Sequence, residues 1–284
     1  MKTTFGQRAL GTTAYDTKDA SQRPLVNYVW ITSRKPTPSP YNKECAVELA
    51  NIESAVSNAN RHPEADFQLW LDKKVLDDYS LFCIDYFLHG RTFYKNIKIA
   101  DLQTIPDYAN DPFFTPLEPT DPGYAVEAFC RVGPRNVYAR ADYARILVLD
   151  HCLITQPERP QIIYSDIDCP SLRLTEVSDR IRRHGIAING LGGGISNGYI
   201  GLDPNYPDLR RHFETLKQQS TAVAHQNGLG YSEFGNFLEA LGVNLEDVGI
   251  QQLLPRIGHE MPHHDYKLAS TRQFKTWKKN HPHG

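Results

Sequence analysis

The stretch QIIYSDIDCPS, residues 161–171, decides how the chain is read. Ile162, Ile163 and Tyr164 form an apolar run that leads into Ser165. Asp166 and Asp168 follow, with Ile167 between them and Pro170 behind. The run predicts a buried strand. Along an extended segment residues i and i+2 share a face, so the two carboxylates point the same way if the segment stays extended. Carboxylates that close repel, and one takes up a proton unless a cation is supplied. A hard divalent ion with oxygen ligands, Mn²⁺ or Mg²⁺, meets that need. Two protein carboxylates leave most of its coordination sphere to water or to a diphosphate.

The pattern on either side places this strand in an alternating chain. PLVNYVWI (24–31), DFQLWL (66–71), KNIKIADL (95–102), GIAING (185–190) and GISNGYIGL (194–202) read as further strands. Helical spacing predicts helices over 43–61, about 73–89, 136–154, 206–226 and 245–257, the last ended near Pro255. Residues 103–123, rich in Pro and Asp, read as loop. Alternation of this kind predicts an α/β fold with a mostly parallel sheet. In such sheets ligands bind beyond the carboxyl ends of the strands, where Asp166 and Asp168 fall.

A chain of 284 residues fits one large domain, expected over 24–284, with 1–23 as a flexible polar arm. The net charge of −2 gives no bulk pull toward nucleic acid or an anionic membrane. No apolar run reaches the roughly 20 residues of a membrane span. The first residues show no apolar core of a secretory signal. The expected location is the cytoplasm, or a host cell reached by a signal-peptide-independent route. Five cysteines, at 45, 83, 130, 152 and 169, include no C-x-x-C pair and read as free thiols.

The helix before the acidic pair carries more. In ARADYARILVL, Asp142 and Arg145 lie three apart and share a face, while Ile146, Leu149 and Leu153 make the other side apolar. On its own such a pair reads as a surface ion pair. Together with YVWI, IIYSDIDCPSL and ISNGYIGLDPNYPDL, it makes the chain resemble the D-x-D glycosyltransferases of GT-A fold. These include the large clostridial glucosylating toxins and the Och1-like α-glycosyltransferases. NANRHPEADFQLWLD is similar to that family's second strand.

The resemblance implies a mixed, mostly parallel Rossmann-like sheet flanked by helices. It also implies a metal-dependent, retaining transfer of a sugar from a nucleotide-sugar donor, UDP-glucose or UDP-GlcNAc favoured. The acceptor would be a protein side chain or a glycan, as for effectors and toxins. Residue by residue, it implies Trp30 stacked near the base, with Val29 and Ile31 beside it. Asp142 and Arg145 would sit on sugar or ribose, with Ser165, Asp166, Ile167 and Asn197 also lining the donor. Asp166 and Asp168 would hold the metal. A C-terminal lid would add Ser270 to the metal and Trp277 to the diphosphate. The family's Gly-Gly-x-Tyr-x-D-x-D is replaced here by QPERPQIIYSDID, without the glycines.

Other patterns fit less well. A haloacid-dehalogenase-like phosphatase also puts D-x-D after an apolar strand, but wants it early in the domain and Thr or Val where Pro170 stands. Its second acidic pair has no counterpart, since Glu246 and Asp247 read as the first turn of a helix. His259-Glu-Met-Pro-His263 has zinc-protease spacing, yet the proline breaks the helix which that geometry needs. GLGGGISN lacks the strand-then-helix context of a phosphate loop. A non-catalytic relative that only binds nucleotide sugar is the reading from a different class.

Overall fold

Leu25–Trp30, β1, lies in the middle of a sheet and is buried almost throughout, as its continuous apolar run requires. The computed structural model describes residues 20–31, 49–86, 88, 96–115, 137–167, 169, 171–191, 194–224 and 231–250. The other strands are β2 (Asp66–Leu71), β3 (Ile97–Asp101), β4 (Ile162–Ser165), β5 (Ile186–Leu191), β6 (Gly194–Leu202) and β7 (Gly249–Ile250). The helices are α1 (Leu49–Arg61), α2 (Asp78–Asp85), α3 (Pro106–Ala109), α4 (Val137–Thr155), α5 (Leu174–His184), α6 (Leu209–Ala224), α7 (Tyr231–Ala240) and α8 (Leu245–Val248).

The strand order is β3-β2-β1-β4-β6-β5-β7. Every neighbouring pair is parallel except the two that β6 makes with β4 and β5. The result is an α/β fold with a mixed, mostly parallel sheet flanked by helices, the architecture that the resemblance to GT-A enzymes implies. From β1 the chain moves outward through α1 to β2, and β4 returns on the other side of β1. The order therefore reverses between β1 and β4, and a crevice at their carboxyl ends is where such sheets bind ligands.

Alternation along the strands feeds two cores. Val29, Ile162, Tyr164 and Ile200 face α4, α6 and α7 through Ile146, Leu149, Phe213 and Phe234. Val26, Tyr28, Ile163 and Phe67 face α1 and α5 through Ile52, Val56, Val177 and Ile181. Truncating a buried leucine such as Leu149 to alanine costs about 2–5 kcal/mol. α4 is covered nearly all round, and Arg140, Arg145 and Asp150 are buried along with its apolar residues.

Several elements depart from the sequence reading. α5 and α7 have no counterpart in it, and neither does α3, which lies in the stretch read as loop. The helix expected over 245–257 ends after one turn at Val248. There Gly249 turns extended, and Gly249–Ile250 pairs with Ile188 and Asn189 of β5. Of the expected arm, Ala20–Gln22 form a short 3-10 helix, and Arg23 is buried with an ion pair to Asp66 at 3.3 Å. Arg159 reaches the same carboxylate at 2.5 Å. Cys83, Cys152 and Cys169 are buried and not in disulfides. Among the described residues no helix is long and apolar enough to cross a membrane.

Candidate active site

The acidic strand end is built from three directions. β4 supplies Tyr164 and, one residue past its end, Asp166. α4 supplies Asp142 and Arg145. β6 supplies Asn197 through an irregularity in its pairing: Ile188 pairs with Ile200, but the next β5 residue, Asn189, pairs with Ser196. Asn197, Gly198 and Tyr199 are thus left over on the β5 side. Extra residues of this kind bend a strand and re-aim its side chains. The Gly198 carbonyl accepts from the Asp166 amide at 2.8 Å, and Asn197 turns toward α4.

Arg145 is the hub. Only 6% of it is exposed. Its Nη2 meets Asp142 Oδ1 at 2.9 Å, and Nη1 meets Asp166 Oδ1 at 3.3 Å. Nη1 also donates to the Asn197 carbonyl at 2.7 Å and to Asn197 Oδ1 at 2.9 Å. The guanidinium lies over the Tyr164 ring, 4.8 Å from its centroid. This is a planar donor fork used on several partners at once, which lysine cannot reproduce. The Asp142–Arg145 pair is therefore no surface ion pair.

Asp166 is the outermost member, its side chain 35% exposed. Its Oδ1 accepts from the Tyr164 hydroxyl at 2.6 Å. Oδ2 has no hydrogen-bond partner among the described residues. Burial pushes the Tyr164 hydroxyl well above its usual range, so it stays a donor to this carboxylate. Burial likewise raises Asp142 above the ordinary carboxylate value, while Arg145 and a hydrogen bond from Asn197 work in the opposite direction.

The extended segment ends at Ser165. Ile167 lies in a turn, and the Cys169 amide donates back to the Asp166 carbonyl at 3.2 Å. Asp168, Ser270, Trp277 and the His259–His264 cluster lie outside the described residues. Among those described, no group of three or more His, Cys, Asp or Glu side chains could hold a metal. The partly exposed Asp166 with its unengaged Oδ2 does fit one ligand position of a hard cation.

The structure thus brings together Asp142, Arg145, Asp166 and Asn197, four residues singled out from sequence. Val29 and Ile31 are buried at the end of β1 on the α4 side. Trp30 is on the other face, packed against the core beneath α1, with an indole N–H that is buried and has no partner among the described residues. Ser165 and Ile167 are buried. Sequence reasoning gave Tyr164 no role. The available signal was its position two residues before Asp166, on the same face of a strand.

No protein-family model and no curated protein matches the chain. Solved structures align with it. The PaToxG glycosyltransferase does so over 78% of this chain and 71% of its own, at 16% identity and a TM-score of 0.44. The bacterial N-acetylglucosamine transferase NleB aligns over 83% and 94%, at 13% identity and a TM-score of 0.44. The galactosyltransferase LgtC, solved in complex with donor and acceptor sugar analogs, aligns over 75% and 70%, at 12% identity and a TM-score of 0.40.

Proposed function

We propose that the chain is a metal-dependent, retaining glycosyltransferase of GT-A type that uses a nucleotide-sugar donor, UDP-glucose or UDP-GlcNAc favoured. The observation that carries this reading is the convergence of Asp142, Asp166 and Asn197 on the buried Arg145. They meet where the strand order reverses, at the carboxyl end of β4. A solvated acidic turn would have no reason to engage a buried arginine from another helix. The acceptor is a protein side chain or a glycan.

A divalent cation, Mn²⁺ or Mg²⁺, would be held by Asp166 and Asp168, with Ser270 as a third contributor. When bound it supplies positive charge to the departing diphosphate. The chain's own residues do the positioning. Asp142, its side chain 24% exposed, accepts from donor hydroxyls. Arg145 fixes the spacing of Asp142 and Asp166 from beneath, and Tyr164 holds Asp166 in one orientation. Trp30 meets the base with the part of its ring that the core beneath α1 leaves uncovered, and Trp277 closes over the diphosphate. The bond from the anomeric carbon to the diphosphate oxygen breaks, and one to the acceptor oxygen forms on the same face. The acceptor proton passes to the departing oxygen. This needs no enzyme nucleophile, and both described carboxylates are held by Arg145.

The test is a panel of UDP- and GDP-sugars with Mn²⁺, scored for sugar release and for mass added to protein acceptors. Metal-dependent release with one donor is expected, abolished in Asp166→Ala and Asp168→Ala with the fold retained. Donor binding without any release would make the chain a non-catalytic binder. Full activity in either variant would end the metal-clamp assignment.

A further inference from the structure

The acidic turn is held from below by a helix that takes no part in the site described above. Asn58 of α1 is 0% exposed. Its Nδ2 donates to the Cys169 carbonyl at 3.0 Å and to the Tyr28 hydroxyl of β1 at 3.2 Å. Its Oδ1 accepts from the Leu172 amide at 3.1 Å. One residue past the end of α1, His62 Nε2 lies 3.0 Å from the Leu172 carbonyl. A side-chain amide that accepts from one backbone N–H and donates to a carbonyl three residues earlier acts as a spare peptide group. It saturates a loop that has no strand partner.

The loop needs such a partner. The Cys169 amide returns to the Asp166 carbonyl, so the backbone that follows Asp166 is continuous with the Asn58 contacts. At its far end the loop enters α5 through Arg173, whose side chain makes no capping hydrogen bond. No local cap therefore fixes where the loop stops. Leu172, buried in the core shared with α1, and the side chains of Asn58 and His62 fix it instead.

We propose that Asn58, assisted by His62, is a positioning residue that sets the height of the acidic turn above the sheet. This rests on the glycosyltransferase reading and assigns to that site a support that lies outside the donor-facing residues. Asn58 touches neither donor nor metal; it acts through the backbone of Cys169 and Leu172. Tyr28 ties the same clamp to β1.

The experiment compares Asn58→Ser and His62→Ala with Asp66→Asn, which loses two arginine partners at the amino end of the sheet and touches nothing near the turn. Backbone amide exchange at Cys169 and Leu172 is the first readout. Calorimetric binding of UDP with Mn²⁺ is the second. In Asn58→Ser, exchange at both amides is expected to speed up and UDP–Mn²⁺ affinity to fall, each by about tenfold. His62→Ala, a change at the partly buried rim of the clamp, is expected to give about two- to threefold in the same direction. Asp66→Asn should lose stability with neither effect.

Wild-type exchange at Cys169 and Leu172 in both clamp variants overturns the proposal. So does faster exchange with unchanged UDP–Mn²⁺ affinity. If Asn58→Ser fails to fold, His62→Ala decides by the same two readouts. If the wild-type chain itself binds neither UDP nor GDP with Mn²⁺, the nucleotide-sugar reading fails, and exchange alone then decides whether the clamp exists.

Discussion

Tyr164 donates its phenolic hydrogen to Asp166 at 2.6 Å, from two residues upstream on the same strand. The tyrosine is almost completely buried, and its ring also supports the Arg145 guanidinium. One side chain therefore orients both the outermost acid and the cation beneath it. Tyr164→Phe removes only the hydroxyl and keeps the ring under Arg145. The expected stability loss is about 1 kcal/mol, the worth of one net hydrogen bond. Metal-dependent sugar release should fall by about tenfold, because Asp166 gains freedom to rotate away from its ligand position. Steady-state rates beside urea midpoints check this; wild-type turnover in a folded variant would show that the hydroxyl does not hold Asp166.

Arg145→Lys keeps the charge and loses the fork. A lysine ammonium cannot reach Asp142, Asp166 and both oxygens of Asn197 from one position. Carboxylates left with a partial partner cost less here than in a sealed interior, because Asp142 and Asp166 are partly exposed. The expected loss is roughly 2–3 kcal/mol. Activity should fall below about 1% of wild type, since the spacing of the two acids is then unfixed. Activity near wild type would show that a positive charge suffices and that the fork geometry is incidental.

The Asp142 carboxyl is raised above its ordinary value, chiefly by burial. Between the unfolded and folded pKa values the folded chain then holds more protons than the unfolded one, and stability falls as pH rises through that window. The burden is fully present above the folded value and relieved below the unfolded one. Asp142→Asn removes this contribution, so the difference in urea midpoint between wild type and variant should change with pH across the weakly acidic range. The wild-type protein should gain relative to the variant as pH drops. A difference that stays flat, or that grows in the other direction, would show that Arg145 and Asn197 outweigh burial.

Much of the sheet was legible because its strands carry their own signal. LVNYVW and DFQLWL are short apolar runs bounded by polar residues, and both fall at the expected places. Asp142 and Arg145 were legible through helical spacing, and Asp166 through its place after IIY. What the sequence could not show is what other elements impose. The register shift that aims Asn197 at Arg145 exists only in the pairing of β5 with β6. α5 went unread because Arg173 gives no cap and charges surround Leu174, Val177 and Ile181, although these three recur at helical spacing. At Gly249 and Ile250 the helical pattern that starts at Leu245 is overruled by pairing with β5, a tertiary contact that local propensity does not contain. The buried pairing of Asp66 with Arg23 and Arg159 joins residues too far apart in sequence for any spacing rule.

Two glycines with nearly the same backbone angle separate conformational strain from steric overlap. Gly185 follows α5 at φ +73°, and its amide closes the helix onto Ile181 at 2.7 Å. Gly242 follows α7 at φ +67°. A methyl group on Gly242 would meet nothing within 4 Å, whereas one on Gly185 would run into the ring of Tyr206. Gly242→Ala should therefore cost only the left-handed backbone term, about 1 kcal/mol. Gly185→Ala should cost about 1–3 kcal/mol more, because the loop carrying Tyr206 must give way. That loop is tied to the same glycine through the Asp203 amide, which donates to the Gly185 carbonyl at 2.9 Å, so the ring cannot move alone. Urea midpoints of the two variants read the difference directly. Equal losses would show that Tyr206 swings aside freely and that the α5 terminus is held by its backbone conformation alone.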